Sequence, residues 1–434
     1  MHFRSRVSLL LVLLFLLTAC TAPTSGPTTS GKPTPSPTAS ASLSPESCPG
    51  RLSQDKNCYT PRDLRLAYDI ETLTKLGFTG KGQTVVDIVS YGSPTLQQDI
   101  DTFSQQFGLP PVKIQVISPM GTVPFDPQNK DMTGWAGETE LDVQLIHAIA
   151  PDAGIVVMTS PVDETEGTIG MPEFMKLEQY AVDHHLGQIF SQSYVASEAT
   201  LADSAGQQLV KSFTDFYRQI TTQQRWTIVS GSGDNGATDW ADLAATKLAT
   251  SPTVNFPADV PWVTAIGGTT LLRTANGYNE QVWPGSGGGI SKFFDEPDYQ
   301  RSMPQAIQTQ LAGHRGLPDI AADADPLTGM AFYISGRWLK VGGTSASTPI
   351  WAGIVAIADQ VAGHPLGFIN PALYRLAASG TYAQDFRDIT VGSNTVDTPI
   401  QVQGFQAASG WDAVTGWGAP QVSHLIPNLI AALK

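Results

Sequence analysis

From residue 60 onward the chain alternates between two kinds of apolar pattern. Short runs rich in Val, Ile and Thr predict strands over residues 84–89, 113–117, 154–159, 188–193, 226–230 and 263–266. Between them, apolar residues recurring every three or four positions predict helices over 95–106, 138–149, 172–184, 207–223 and 347–362. Strand and helix in this order predict an α/β fold: a doubly wound, mostly parallel sheet with helices on both faces. Ligands of such sheets bind beyond the carboxyl ends of the strands. The turn Gly231-Ser232-Gly233 therefore falls where a site is expected. No second linker and no repeat interrupts residues 60–434, so one large domain is expected.

The pattern before residue 48 is different. Arg4 and Arg6 precede an apolar run over 9–17 that is too short for an ordinary membrane-spanning helix. Leu17-Thr18-Ala19-Cys20 resembles the bacterial lipoprotein signal, in which the cysteine becomes the lipidated first residue. Residues 1–19 are thus expected to be a signal peptide. Residues 20–47, almost wholly Thr, Ser, Pro, Ala and Gly, are expected to be a tether, and 48–434 the folded domain. The expected location is outside the cytoplasm, anchored to the membrane through lipid on Cys20; the alternative is a secreted chain in which Cys20 is incidental. Cys48 and Cys58 remain as an even pair outside the cytoplasm, which predicts a disulfide.

Composition narrows the function classes. The 434 residues are 41% hydrophobic, enough for a sizeable core. Only 15% are charged, against an average of roughly 25%. The net charge of −14 argues against nucleic-acid partners and against a polybasic membrane patch.

Three groups of residues carry candidate chemistry. Ser345, in Gly343-Thr344-Ser345-Ala346-Ser347-Thr348-Pro349, suits a tight turn that presents a hydroxyl at a helix N-terminus. A nucleophilic serine needs a base, yet none of the 7 histidines has the flanking pattern of a subtilisin base. Glu138 and Asp142 share one helical stripe with Leu145 and Ile149. Two acids on a stripe that continues as core repel each other, and one is driven to hold a proton; such a pair can present a base to a hydroxyl. The blander alternative has Glu138 and Glu140 serving the positive end of a helix, which leaves Asp142 unexplained. Asp234 follows a strand end in Ser232-Gly233-Asp234-Asn235-Gly236, a plain turn by composition. If kept neutral, its carboxyl can donate to an oxyanion.

Together these motifs resemble the sedolisin family, the serine-carboxyl peptidases. The resemblance begins at Thr60-Pro61-Arg62-Asp63 and passes through Tyr91-Gly92-Ser93-Pro94, Glu138 and Asp142, and Ser191-Gln192-Ser193-Tyr194. It continues through Ser232-Gly233-Asp234, Asn255-Phe256-Pro257, Gly287-Gly288-Gly289 and Pro318-Asp319-Ile320 to the Ser345 motif. It implies a subtilisin-like fold and peptide-bond hydrolysis at acidic pH through an acyl-enzyme. Ser345 would be the nucleophile and Glu138 the base. Asp142 would orient Glu138, and Asp234 would complete the oxyanion site. Ser193, Tyr194, Gly231 and Ser232 would contact the substrate. The resemblance also implies one calcium ion held by Asp388 and Asp412 with the carbonyls of Ile389, Ala408 and Gly410; two carboxylates plus carbonyls are the hard donors calcium takes.

Two departures stand out: no room for the family's folded prodomain between the tether and the domain, and Tyr194 where the family often has tryptophan. The expected protein is an extracytoplasmic, monomeric endopeptidase acting on peptides or proteins. The rival expectation is an inactive, lipid-anchored binding protein on the same fold.

Overall fold

The structure, a computed structural model, describes residues 47–434; the candidate signal, Cys20 and the tether up to residue 46 lie outside the described residues. The main sheet has 8 strands. They are β1 (Thr84–Ser90), β2 (Gln115–Ile117), β3 (Gly154–Ser160), β4 (Ile189–Gln192), β5 (Thr227–Gly231), β6 (Thr264–Thr274), β7 (Gly277–Val282) and β8 (Ile320–Asp323). The order across the sheet is β8-β6-β5-β4-β1-β3-β2, all parallel. β7 folds back antiparallel on β6, pairing Thr269 with Val282. Nearly every side chain of β1, β3, β4 and β5 is buried. Consecutive residues are both buried only when both faces are covered, so the near-continuous apolar runs follow from the architecture.

The helices that position the site are α1 (Leu96–Phe107), α2 (Lys130–Ile149), α3 (Met171–Asp183), α4 (Ser204–Gln223) and α5 (Thr344–Ala362). Two begin earlier than their apolar periodicity suggests. α2 starts at Lys130, where the Asn129 side chain accepts from the amides of Asp131 and Met132 at 2.9 and 3.2 Å. Gly134 and Gly137, each worth about 1 kcal/mol of helix propensity, hide this first part. Glu138 therefore lies in the third turn, too deep to serve the helix N-terminus. α5 starts at Thr344, which puts Ser345 in its first turn. The hairpin of β6 and β7 extends past the predicted strand end because Gly267-Gly268, which reads as a stop, lies inside the strand.

α2 and α5 run in the same direction, with their N-terminal halves together at the carboxyl edge of the sheet. Gly353 sets their separation: a Cβ there would stand 2.8 Å from the Ile149 Cβ. At the far side, Arg315 and Asp319 form a fully buried ion pair at 2.7 Å, and Asp319 also accepts from Tyr374 and the Ala265 amide, both at 2.8 Å. Asp319 of the Pro318-Asp319-Ile320 motif is thus a clamp on β6 and β8. Removing one partner of such a pair costs roughly 3–5 kcal/mol. Cys48 and Cys58 are disulfide-bonded as expected. Next to them the Tyr59 hydroxyl donates to the Leu271 carbonyl at 2.7 Å, and Arg273 lies over the Tyr59 ring. No helix among the described residues is long and apolar enough to cross a membrane.

Several buried acids have no cation near them. Glu178 Oε1 accepts from Gln192 at 2.6 Å, Tyr194 at 2.8 Å and Tyr217 at 3.1 Å, yet burial outweighs these donors and raises its pKa from 4.5 to about 8. Burial, with the charge of Asp99, likewise raises Glu140 from 4.5 to about 8 despite donors Ser93 and Gln144. The folded state then holds protons that the unfolded chain releases, so stability falls as pH rises. We expect the melting temperature to be highest below about pH 4.5 and to drop progressively toward pH 8, the window between the two pKa values of each group. Thermal melts across this range check it, and Glu178→Gln, which keeps the shape but cannot ionise, should flatten the slope.

Candidate active site

Ser345 is the second residue of α5, half-buried, and open to the cleft at the carboxyl edge of the sheet. Its amide belongs to the first turn, where N–H groups have no intrahelical acceptor. Gly343 caps the helix at φ 99°, a conformation open to glycine, and a Cβ there would lie 2.6 Å from Asp234 Oδ2. Two segments far apart in sequence, residues 231–236 and 343–345, can meet only because that position has no side chain.

The Glu138 carboxyl lies close enough to the Ser345 side chain for the hydroxyl to stabilise its charge, and its Oε1 has no partner within the fold. Burial, together with the charges of Asp234 and Asp87, raises its pKa. Four residues on, Asp142 is fully buried and accepts the Ser193 hydroxyl at 2.8 Å. Ser193 Oγ also lies 3.4 Å from the Ser345 carbonyl, tying the end of β4 to the backbone at Ser345. Among the described residues no histidine hydrogen-bonds Ser345: His147, the one buried on α2, faces Ser104 at 3.1 Å and is held neutral, its pKa lowered to about 4 by burial.

The carboxyl stripe predicts a proton shared by Glu138 and Asp142. The structure places Asp142 in hydrogen-bond contact with a third acid, Asp87, while Glu138 acts on Asp142 through charge. Asp87 is fully buried in the middle of β1, and neither of its oxygens has another partner. Two carboxyls in contact need a proton between them. Burial and mutual repulsion raise Asp142 well above the ordinary carboxyl range, and burial raises Asp87. The motif reading misses Asp87 because β1 reads as an apolar run; the usable signal is a lone acid inside Thr84-Val85-Val86-Asp87-Ile88-Val89.

Asp234 approaches from the other side. Its Oδ1 accepts both the Thr344 amide at 2.7 Å and the Thr344 hydroxyl at 2.9 Å. That leaves Oδ2 to carry any proton, facing the cleft. Asp234 is exposed at the surface, and the protein packed around its carboxyl raises its pKa in spite of the two donors. The remaining candidates divide. Ser193 is at the site. The Tyr194 side chain turns inward, its hydroxyl on Glu178 and its ring 4.5 Å from Phe174, so it braces β4 and is not free for substrate. Ser232 donates to the Gly287 carbonyl at 2.7 Å and is fully buried, and Gly231 is buried against Thr344. Any contact these three make with a ligand runs through the backbone.

The candidate metal residues also meet. Asp388 accepts from the Gly410 amide at 3.1 Å and the Ser409 hydroxyl at 3.1 Å, while Asp412 accepts from the Ala408 amide at 3.0 Å. Both acids act on Tyr382. Asp412 is buried with only backbone and hydroxyl dipoles to stabilise its charge, and burial raises its pKa to about 6. Ala408 takes no left-handed φ, so a methyl fits there, whereas Gly410 has φ 83°. Two hard carboxylates, Asp412 within the 408–412 loop and Asp388 bonded to that loop from a separate segment, fit a calcium ion; Ile389, next to Asp388, is buried.

A serine served by carboxyls on an α/β parallel sheet defines the class. Comparisons with known proteins agree. No protein-family model matches the chain. Kumamolisin of Bacillus sp. (strain MN-32) is 30% identical over 383 residues, which cover 86% of this chain and 64% of that protein. Human tripeptidyl-peptidase 1 is 31% identical over 315 residues, 68% of this chain and 52% of that protein. Among solved structures, Pseudomonas sedolisin, a serine-carboxyl proteinase complexed with two molecules of pseudo-iodotyrostatin, superposes with a TM-score of 0.71 at 26% identity, covering 85% of this chain and 97% of that one. The chain belongs to the sedolisin family. It spans 64% and 52% of the lengths of these two curated relatives.

The Asp87–Asp142 contact has a spectroscopic signature. We expect the infrared stretch of protonated carboxyls to persist well above the ordinary carboxyl titration range and to lose one component in Asp87→Asn, whose amide replaces the neutral donor. An unchanged band would mean that the two acids do not share a proton.

Proposed function

We propose that this protein is a serine-type endopeptidase that hydrolyses peptide bonds at acidic pH. The observation that carries the reading is the Glu138 carboxyl on the Ser345 side chain, with no other use in the fold. Ser345 Oγ attacks the scissile carbonyl carbon while Glu138 takes its proton. The carbonyl oxygen becomes an oxyanion, received by the Ser345 amide and by protonated Asp234. Collapse expels the amine, which takes the proton back from Glu138, and leaves an acyl-Ser345. Water, deprotonated by Glu138, then releases the acid and restores the serine. Asp142, held by Ser193 and Asp87, fixes Glu138 in place by charge and packing. Tyr194 occupies the tryptophan position of relatives as part of this scaffold. The names of the relatives, a serine-carboxyl proteinase and a tripeptidyl-peptidase, support peptide or protein substrates.

The acid requirement follows from Asp234. Its raised pKa keeps it protonated at low pH, and loss of that proton as pH rises removes a donor and adds a negative charge where the oxyanion forms; Glu138, raised from 4.5 to about 8, acts as base only through its ionised fraction, which limits the rate from the low-pH side. The lipoprotein-like Leu17-Thr18-Ala19-Cys20 and the Thr/Ser/Pro-rich stretch after it support an extracytoplasmic site of action with a lipid anchor on Cys20. We also propose one structural calcium ion between Asp388 and Asp412, with the Ile389, Ala408 and Gly410 carbonyls. When bound, it would neutralise the two acids and pin the loop over residues 408–412.

Ser345→Ala should abolish cleavage of a denatured protein at acidic pH, and Asp234→Asn should lower kcat by roughly 10²–10³-fold; an undiminished rate in Ser345→Ala refutes the assignment. Calcium at about a hundredfold excess over its Kd should stabilise the fold by about 2.7 kcal/mol. A chelator should reverse this in thermal melts, and Asp412→Asn should remove the response.

A further inference from the structure

The helix that carries the base also holds the segment that carries the nucleophile. Gln144 lies further along α2 than Glu138 and is fully buried. Its amide meets the hairpin of Ala331–Ile334 and Arg337–Lys340, which stands outside the main sheet. Gln144 Nε2 donates to the Tyr333 carbonyl at 2.7 Å, and Gln144 Oε1 accepts the Tyr333 amide at 2.8 Å. Tyr333 stands opposite Trp338 in the hairpin, so one side chain does for its outer edge what a further strand would do. The direction of the amide is fixed as well. Its other N–H goes to Glu140 Oε2 at 3.0 Å, and Glu140 Oε1 accepts the Ser93 hydroxyl at 2.7 Å. A rotated amide would set oxygen against oxygen at both Glu140 and Tyr333.

Two-stranded hairpins are marginal by themselves, so the position of this one depends on what it is fastened to. At its turn the Ser335 amide donates to Asp99 of α1 at 2.9 Å, and Trp338 packs on Phe103 and Phe107 with ring centroids 6.3 and 5.5 Å apart. At its open end the Ala331 amide donates to the Tyr59 carbonyl at 2.9 Å, and Lys340 pairs with Asp55 at 2.6 Å. Gln144 fastens the middle to α2. The chain then runs from Lys340 through residues 341–344 into Ser345 with little slack. A Cβ on Gly342 would stand 2.4 Å from the Ala324 carbonyl oxygen, and one on Gly329 only 1.7 Å from the Val341 carbonyl oxygen. The Gly343 amide donates to that same Ala324 oxygen at 2.6 Å. A shift of the hairpin is therefore passed on to Ser345, and to Thr344, whose amide and hydroxyl hold Asp234.

We infer that Gln144 is a positioning residue for peptide-bond cleavage: through Tyr333 and the hairpin it sets where Ser345 stands relative to Glu138 on its own helix. The inference rests on the peptidase reading of Ser345. Gln144 is buried behind the hairpin and acts only through it, so its loss falls on the chemical step and not on substrate binding.

The test compares two variants with the unmodified chain on one quenched-fluorescence peptide at acidic pH. Gln144→Met keeps the length and apolar stem but neither hydrogen bond to Tyr333. It should lower kcat by roughly 10–100-fold with KM within about twofold. A protonated carboxyl can donate to the Tyr333 carbonyl and accept its amide, so Gln144→Glu should keep kcat within about threefold. A folded Gln144→Met with undiminished kcat overturns the inference, as does a loss confined to KM or a Gln144→Glu that falls as far as Gln144→Met. If melts show that Gln144→Met does not fold, Gln144→Asn, whose amide is one methylene short of Tyr333, is read in the same way. If the unmodified chain cleaves nothing, the peptidase reading fails separately. Hydrogen exchange of the amides of residues 341–345 then decides the positioning: it should be faster in Gln144→Met than in Gln144→Glu, and equal exchange overturns the role.

Discussion

Acid without base is the condition on which the interior of this protein depends. Glu138 reaches the Ser345 hydroxyl, Asp142 and Asp87 stand behind it, Asp234 lies on the other side, and among the described residues no lysine, arginine or histidine acts on these four. Water cannot reach Asp142 or Asp87, which are fully buried. The only available neutraliser is the proton. An imidazole base works by being uncharged before it acts; here a set of carboxyls reaches the same state by sharing fewer negative charges than it has groups. The proposed chemistry and the protonation of the fold are therefore linked, because low pH both favours a protonated Asp234 and keeps Glu178 and Glu140 neutral in the core.

Geometry keeps this arrangement from relaxing. α2 and α5 lie against each other with glycine at the crossing, so the spacing between Glu138 and Ser345 is set by backbone packing and not by flexible side chains. Asn129 fixes one helix start and Gly343 the other. Ser193 joins the acid to the strand beside it, and Tyr194 and Glu178 hold that strand from behind. A hydroxyl and a carboxyl on two rigid rods have few ways to miss each other.

Much of this was legible before the fold was known. The Ser345 motif, the stripe shared by Glu138 and Asp142, and the alternation of strands and helices all depend on local rules of spacing, and local rules can be read along a chain. Long-range facts were less legible. Asp87 belongs to the site because β1 lies beside α2, and only the lone acid in an apolar run hints at it. Glycines disguised the first turns of α2, which made Glu138 look like a helix-end residue when it is an interior one. Ser232 and Tyr194 sit at the right place in the motif order, but the direction of a side chain depends on neighbours such as Gly287 and Glu178 that lie dozens of residues away or a helix apart.

The disulfide near the start of the described chain has a mechanical consequence. A pull applied at residue 47 is transmitted across the bond from Cys48 to Cys58 and arrives beside Tyr59, whose hydroxyl is fastened to Leu271 in the main sheet. The short loop between the two cysteines bears none of that load. Tension from the N-terminal side is thus delivered to a strand braced on both flanks, and the first peripheral turn cannot be unzipped residue by residue.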